Sequence, residues 1–314
     1  MMKVMNLSKK VFIDGSAGTT GLRIHERLAQ RKDLEIIRLP EEYRKDPSAR
    51  ADAINSSDIV FLCLPDQAAI EAVSMVTSSS TVIIDTSTAH RVDPEWTYGF
   101  PEINGLRDRI ITSKRIANPG CHASGFIALV APLVSAGILP PEAALSSFSL
   151  TGYSGGGKKM IAEYQDDNRD PLLAGPRLYG LTQKHKHLPE MKIICGLKND
   201  PVFCPVVAPY YAGMEVIIPL TAVQVNAGPE EIISVWKDYY QNGLVRVSES
   251  MDENGFCSAS GYAGRDDMQI SVFGNKDRMT LVSRFDNLGK GASGSAVQNM
   301  NLVLGVSETE GLVV

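Results

Sequence analysis

Val11-Phe12-Ile13-Asp14-Gly15-Ser16-Ala17-Gly18-Thr19-Thr20-Gly21 is the stretch on which the fold turns. Its first four residues read as a short buried strand, three glycines follow at every third position, and residues 22–30 are patterned as an amphipathic helix. Strand, glycine turn and helix in that order form the opening of a nucleotide-binding βαβ unit. Glycine permits the tight turn and the close approach of a ligand to the backbone, and the free N–H groups of the helix N-terminus hold a pyrophosphate. The spacing is Gly-x-x-Gly-x-x-Gly, not Gly-x-Gly-x-x-Gly. Gly15, Ser16, Gly18, Thr19, Thr20 and Gly21 are therefore the candidate cofactor contacts.

Working outward, residues 34–39 form a second strand that ends without the acidic side chain expected to hold a ribose 2′-hydroxyl. Arg38 stands near its end instead, with Arg44 and Lys45 close behind. A guanidinium there pairs with a 2′-phosphate, which points to NADP(H) as cofactor. Residues 59–64 are a continuous apolar run of the kind found in parallel sheets covered on both faces. Pro65 ends the run, Asp66 can cap a helix over 67–76, and residues 82–85 make a fourth strand. Thr86-Ser87-Thr88, His90 and Arg91 follow at its C-terminal end, where open parallel sheets bind their ligands. The regular alternation predicts a doubly wound α/β half.

Asn118-Pro119-Gly120-Cys121-His122 lies between a segment read as extended, 109–117, and an apolar helical one, 125–137. Pro119 and Gly120 break the chain sharply and place Cys121 at or near the first turn of the helix, where unpaired N–H groups and the helix dipole favour a thiolate. Cys121 is the candidate nucleophile. After a strand at 145–150, Gly152 to Lys158 matches Gly-x-x-x-x-Gly-Lys, but Lys159 stands where a phosphate loop needs a magnesium-binding Ser or Thr, so a nucleoside triphosphatase is excluded. Ser154, Gly155, Gly156 and Lys158 remain a candidate loop for a small phosphate or carboxylate, with Asn118 beside them as a further substrate contact. His185 and His187, read as i and i+2 of an extended segment, can present one imidazole to a thiolate or both to a metal, and no third ligand is suggested by spacing. Beyond them, strands at 215–225, 245–247, 268–273 and 279–285, the last two joined as a hairpin, and one helix at 229–243 predict an α+β domain on a mainly antiparallel sheet. A last helical segment runs from Asn287-Leu288-Gly289-Lys290-Gly291-Ala292-Ser293-Gly294 through Leu304, and such a helix can pack back on the first domain.

The chain has 314 residues, 44% hydrophobic and 21% charged, which is ordinary globular composition. A net charge of −5 with no long basic run argues against nucleic acid, and no apolar run approaches the length of a membrane span. Five cysteines without Cys-x-x-Cys pairing fit a reducing, cytoplasmic setting.

A dinucleotide half, an activated cysteine at the junction, a histidine pair and an anion loop together suit interconversion of an aldehyde and an acyl phosphate through a thioester, on a small-molecule substrate. Four stretches, residues 118–121, 151–157, 185–190 and 287–294, resemble in order the N-acetyl-γ-glutamyl-phosphate reductases in their shorter form, within the aspartate-semialdehyde dehydrogenase-like superfamily. The resemblance implies NADPH-dependent reduction of N-acetyl-γ-glutamyl phosphate in arginine biosynthesis by a homodimer or homotetramer. It makes Cys121 the nucleophile, His185 the first choice of acid/base group with His187 as substrate contact or substitute, and adds Lys290 and Gly291 to the cofactor contacts. It also divides the chain into a nucleotide-binding domain of 1–120 and 287–314 and a catalytic and dimerisation domain of 121–286. Where that family reads Tyr-Pro-Thr after the cysteine, this chain reads His122-Ala123-Ser124. The same chemistry on aspartyl or a protected aminoadipyl phosphate is the alternative.

Overall fold

The computed structural model describes residues 8–314. Strands β1 (Lys9–Asp14), β2 (Leu34–Ile37), β3 (Ile59–Leu62), β4 (Val82–Asp85), β5 (Thr97–Tyr98) and β6 (Arg115–Ala117) form one parallel sheet in the order β2-β1-β3-β4-β6-β5. β3 and β4 are buried along their whole length, as unbroken apolar runs require when helices cover both faces. The chain leaves β1 in one direction to β2 and in the other to β3, so the end of β1 is the switch point where such sheets open a crevice.

The glycine turn sits at that point. Gly15 has φ +84°, and a Cβ on it would lie 2.2 Å from the carbonyl oxygen of Cys63. One on Gly21 would lie 2.5 Å from the oxygen of Gly15. Both positions need glycine because the turn is folded onto its own helix and onto the exit of β3. Helix α1 (Thr19–Leu28) therefore starts within the turn, ahead of residue 22. Helices α2 (Pro47–Asn55) and α3 (Asp66–Ser74) complete the winding.

The reading of 109–117 as extended is only half right. Helix α4 (Leu106–Thr112) occupies its first part and β6 the remainder. Leu106 and Ile110, four apart, bury one helical face, and that tertiary contact overrides the β-branched run.

Helix α5 (Cys121–Ser135) is buried from His122 to Leu133. It lies on a second, seven-stranded sheet: β7 (Ser146–Gly152), β8 (Arg177–Leu178), β9 (Val202–Ala208), β10 (Met214–Thr221), β11 (Val245–Val247), β12 (Met268–Gly274) and β13 (Arg278–Phe285), in the order β11-β12-β13-β10-β7-β9-β8. The β11/β12 and β7/β9 pairs are parallel and the other neighbours antiparallel, so the sheet is mixed but mainly antiparallel. Gly125 makes the close contact possible, since a Cβ there would stand 2.5 Å from Val216 Cγ2 and 2.6 Å from Ser283 Oγ.

Pro132 in α5 has no N–H for the Ala128 carbonyl, and the Tyr240 hydroxyl donates to that oxygen at 2.9 Å instead. Helix α6 (Gly157–Gln165) follows β7, and α7 (Leu188–Cys195) begins directly after His187. Residues 185–190 are thus a turn running into a helix, with Pro189 in its first turn, and not the extended segment expected. Helix α8 (Pro229–Tyr239) stops short of residue 243, and Gly243 turns with φ +105°. Finally a π-helical turn, Gly289–Ser293, leads into α9 (Gly294–Leu304), which packs on α4 and α1.

Candidate active site

Cys121 is the first residue of α5. Two glycines enclose it. A Cβ on Gly120 would come within 2.3 Å of Arg91 Nη1, 2.5 Å of His187 Nε2 and 2.6 Å of Glu190 Oε1, and one on Gly291 would lie 2.9 Å from Cys121 Cβ. Arg91 is held over the turn by an ion pair to Glu190 Oε1 at 2.7 Å and by donating from Nε to the Asn118 carbonyl at 3.0 Å. The other Glu190 oxygen accepts from the Tyr98 hydroxyl at 2.7 Å and from the Gly120 N–H at 3.1 Å. A buried carboxylate, guanidinium and phenol thus fix the backbone that carries the cysteine.

Burial pushes the Cys121 thiol up to about 11, against the Arg91 guanidinium and a hydrogen bond from the His122 backbone N–H, both of which favour the thiolate. The thiolate expected from helix position alone is therefore not the resting form, because the enclosure that makes the site tight also desolvates the sulfur. Burial likewise lowers His185 to about 4 and His187 well below the ordinary histidine range, so both imidazoles are neutral at pH 7. His185 Nδ1 accepts the His187 backbone N–H at 3.2 Å, which leaves its proton on Nε2. His187 is buried, and its Nδ1 has no partner among the described residues.

These groups open on one cavity of about 330 Å³. Cys121, His185 and His187 line it together with Thr20 from the glycine turn, and Gly155 and Gly156 from the loop between β7 and α6. Three helix N-termini, those of α1, α5 and α6, meet around it, a setting that favours bound anions. A larger cavity of about 540 Å³ lies at the far ends of β10, β12 and β13, away from all of these side chains.

The family model described as the NAD binding domain of semialdehyde dehydrogenase matches residues 10–112, and that described as the semialdehyde dehydrogenase dimerisation domain matches 121–287. N-acetyl-gamma-glutamyl-phosphate reductases of Brucella ovis and Brucella melitensis are each 46% identical over 309 residues, 95% of this chain and 100% of theirs. The chain belongs to the N-acetyl-gamma-glutamyl-phosphate reductase family. Its fold is also that of aspartate semialdehyde dehydrogenase II of Vibrio cholerae, with TM-score 0.70 at 15% identity over 95% of this chain and 98% of the other. The enzyme of Candida albicans, solved with NADP, superposes with TM-score 0.67 at 16% identity over 95% and 98%.

Against this family background, the residues singled out in the sequence divide clearly. Asn118 lines the cavity and donates from Nδ2 to the Ala292 carbonyl at 3.0 Å, joining the cysteine turn to the segment before α9. Gly291 lines it as well, packed on Cys121. Ser154 is buried just outside, its Oγ accepting from Asn287 Nδ2 at 3.0 Å, so it supports Asn287 on the wall. Lys158 is exposed and does not line the cavity. Arg38 is exposed just beyond β2. Gly15, Ser16, Gly18, Thr19 and Gly21 shape the turn from which Thr20 reaches the cavity.

Lys290, expected among the cofactor contacts, does not line the cavity. Its ammonium is fully buried and is bonded at 2.7 Å to each oxygen of Glu102 and at 2.6 Å to Gln298, so its side chain has nothing left to offer a cofactor. Arg91 and Glu190 were visible, one at the end of β4 and the other inside the histidine motif, but nothing local tells that they pair across 99 positions. Tyr179, on a loop with no motif of its own, carries no sequence signal for its place on the cavity wall.

Proposed function

We propose that this protein reduces N-acetyl-γ-glutamyl phosphate with NADPH to N-acetylglutamate 5-semialdehyde and phosphate, the family's reaction in arginine biosynthesis, through a thioester on Cys121. The observation that carries the reading is that Cys121 and Thr20 of the glycine turn line one cavity. A nucleophile and the end of a dinucleotide crevice share one space.

The residues present fit the dinucleotide. Gly15 and Gly21 let the turn fold tightly against the exit of β3 and the start of α1, so that the helix N-terminus is free to face a pyrophosphate, and Arg38 is exposed just beyond β2, where a 2′-phosphate would lie. Gly15, Ser16, Gly18, Thr19, Thr20, Gly21 and Arg38 would hold it. When bound, the nicotinamide supplies the hydride.

The chain's own groups account for the rest. The Cys121 thiol gives up its proton to the neutral imidazole of His187, since both nitrogens of His185 are committed, and its sulfur attacks the acyl carbon while the bond to the phosphate oxygen breaks. Amides at Gly155 and Gly156, at the N-terminus of α6, favour the departing phosphate. His185 is assigned as the acid/base group, its Nε2 proton meeting the oxygen that becomes negative during reduction of the thioester, and His187 is the substrate contact or substitute. Collapse of the hemithioacetal forms the aldehyde C=O as the C–S bond breaks; the hydroxyl proton returns to His185, and the sulfur takes back its own proton from His187. Arg91, through Glu190, keeps a positive charge over the sulfur throughout.

A homodimer or homotetramer built on the 121–286 domain, with 1–120 and 287–314 forming the nucleotide-binding body, is the assembly we assign. Five free thiols and the biosynthetic reaction suit the cytoplasm, and no helix among the described residues is long and apolar enough to cross a membrane. The test is the phosphate-dependent oxidation of aldehydes by the purified protein. N-acetylglutamate semialdehyde with NADP should give the highest kcat/KM; equal or better rates with aspartate semialdehyde, or a preference for NAD, would overturn the corresponding part of the reading.

A further inference from the structure

The ring of His122 is bonded at both nitrogens. Nδ1 lies 2.6 Å from Ser149 Oγ, and Nε2 lies 2.6 Å from the Tyr179 hydroxyl oxygen. His185, His187 and Phe203 pack against the same ring with centroids 5.8, 5.5 and 5.3 Å away, so it is wedged in one orientation. Burial keeps this imidazole neutral down to about 3.

Serine hydroxyl, neutral imidazole and phenol each hold one proton, and along this line of three the protons run in one of two senses. Were Tyr179 to donate to Nε2, the ring proton would sit on Nδ1 and face Ser149, and the Ser149 proton would be left without an acceptor. Ser149 is fully buried and its hydroxyl has no other partner among the described residues, so that arrangement strands a donor away from water. The opposite sense satisfies both buried groups: Ser149 O–H donates to Nδ1, Nε2–H donates to the Tyr179 oxygen, and only the Tyr179 proton is left over, at the cavity wall. Tyr179 and His122 both stand on the wall of the Cys121 cavity.

We propose that Tyr179 is a substrate-binding hydrogen-bond donor, that Ser149 and His122 are the positioning residues that aim it, and that it takes a carbonyl or carboxylate oxygen of the acyl substrate. This assignment rests on the reaction proposed above. A hydroxyl free to rotate would accept as readily as donate; one whose oxygen is already occupied by Nε2–H selects an acceptor.

Steady-state kinetics of phosphate-dependent aldehyde oxidation by Tyr179→Phe, His122→Phe and the double variant test it. Each single variant should raise KM for the aldehyde by about tenfold, with kcat and KM for NADP changed by no more than about twofold. The double variant should be no more than about twofold worse than Tyr179→Phe alone, because His122 acts only through that hydroxyl. Ser149→Ala, which deletes a single oxygen, should raise the aldehyde KM in the parent and not in Tyr179→Phe. Unchanged aldehyde KM in the singles, or effects that multiply to about a hundredfold in the double, would overturn the assignment. The ratios are read on whichever aldehyde the unmodified protein oxidises, so that turnover of aspartate semialdehyde in place of the N-acetylated one would refute the proposed reaction while the variant ratios still decide Tyr179.

Discussion

Cys121 shows how two effects on one atom are weighed. The helix start and Arg91 favour the thiolate, and burial opposes it and wins, placing the thiol at about 11. The consequence is a pH dependence of definite sign. Below that value the thiolate fraction grows about tenfold per pH unit, so alkylation by iodoacetamide should accelerate log-linearly between pH 7 and pH 10. A rate that levels off near pH 7 would show a thiolate already formed in the free protein. That Cys121 mattered was legible in the sequence, because Pro119, Gly120 and the apolar helix mark its place. Its protonation was not legible, since the residues that enclose it include Gly291, 170 positions away, where even a Cβ would crowd the Cys121 Cβ.

At the level of elements, α5 carries the nucleophile on one end and is clamped to the second sheet through Gly125. Gly125→Ala forces a methyl group into Val216, Ser283 and Phe285, which should lower stability by about 1–3 kcal/mol in spite of alanine's better helix propensity. Denaturant unfolding measures the loss, and kcat should fall with it as the helix head shifts; a variant as stable as the parent would show that α5 is not so tightly seated. The sequence revealed β1, its glycine turn, α1, β4 and the β12–β13 hairpin because each is announced by local residues. It missed the two-residue strands β5 and β8, which are held only by pairing with β6 and β9. It also misplaced α7, where the i, i+2 spacing of His185 and His187 suggested a strand and their rings, with centroids 4.7 Å apart, come together through a turn instead.

Across the whole molecule, the Lys290–Glu102 pair ties the segment before α9 to the loop ahead of α4 in a fully buried position. Glu102 also accepts from the Leu244 N–H at 2.8 Å, so one carboxylate links three parts of the chain. Lys290→Met leaves that carboxylate buried without its cation and should destabilise the protein by about 3–5 kcal/mol. If Lys290 is structural, the variant should still bind NADPH with a Kd within about twofold of the parent under conditions where it is folded. A large rise in that Kd with little change in stability would restore Lys290 to the cofactor site.

Acyl transfer to Cys121 precedes reduction, and separating the two steps makes the order visible. The protein is mixed with N-acetyl-γ-glutamyl phosphate in the absence of NADPH, quenched in acid and examined by peptide mass spectrometry. An N-acetylglutamyl adduct should appear on the peptide containing Cys121, disappear when NADPH is added, and be absent from Cys121→Ser. No adduct in a preparation that turns over, or an adduct on another residue, would contradict the account.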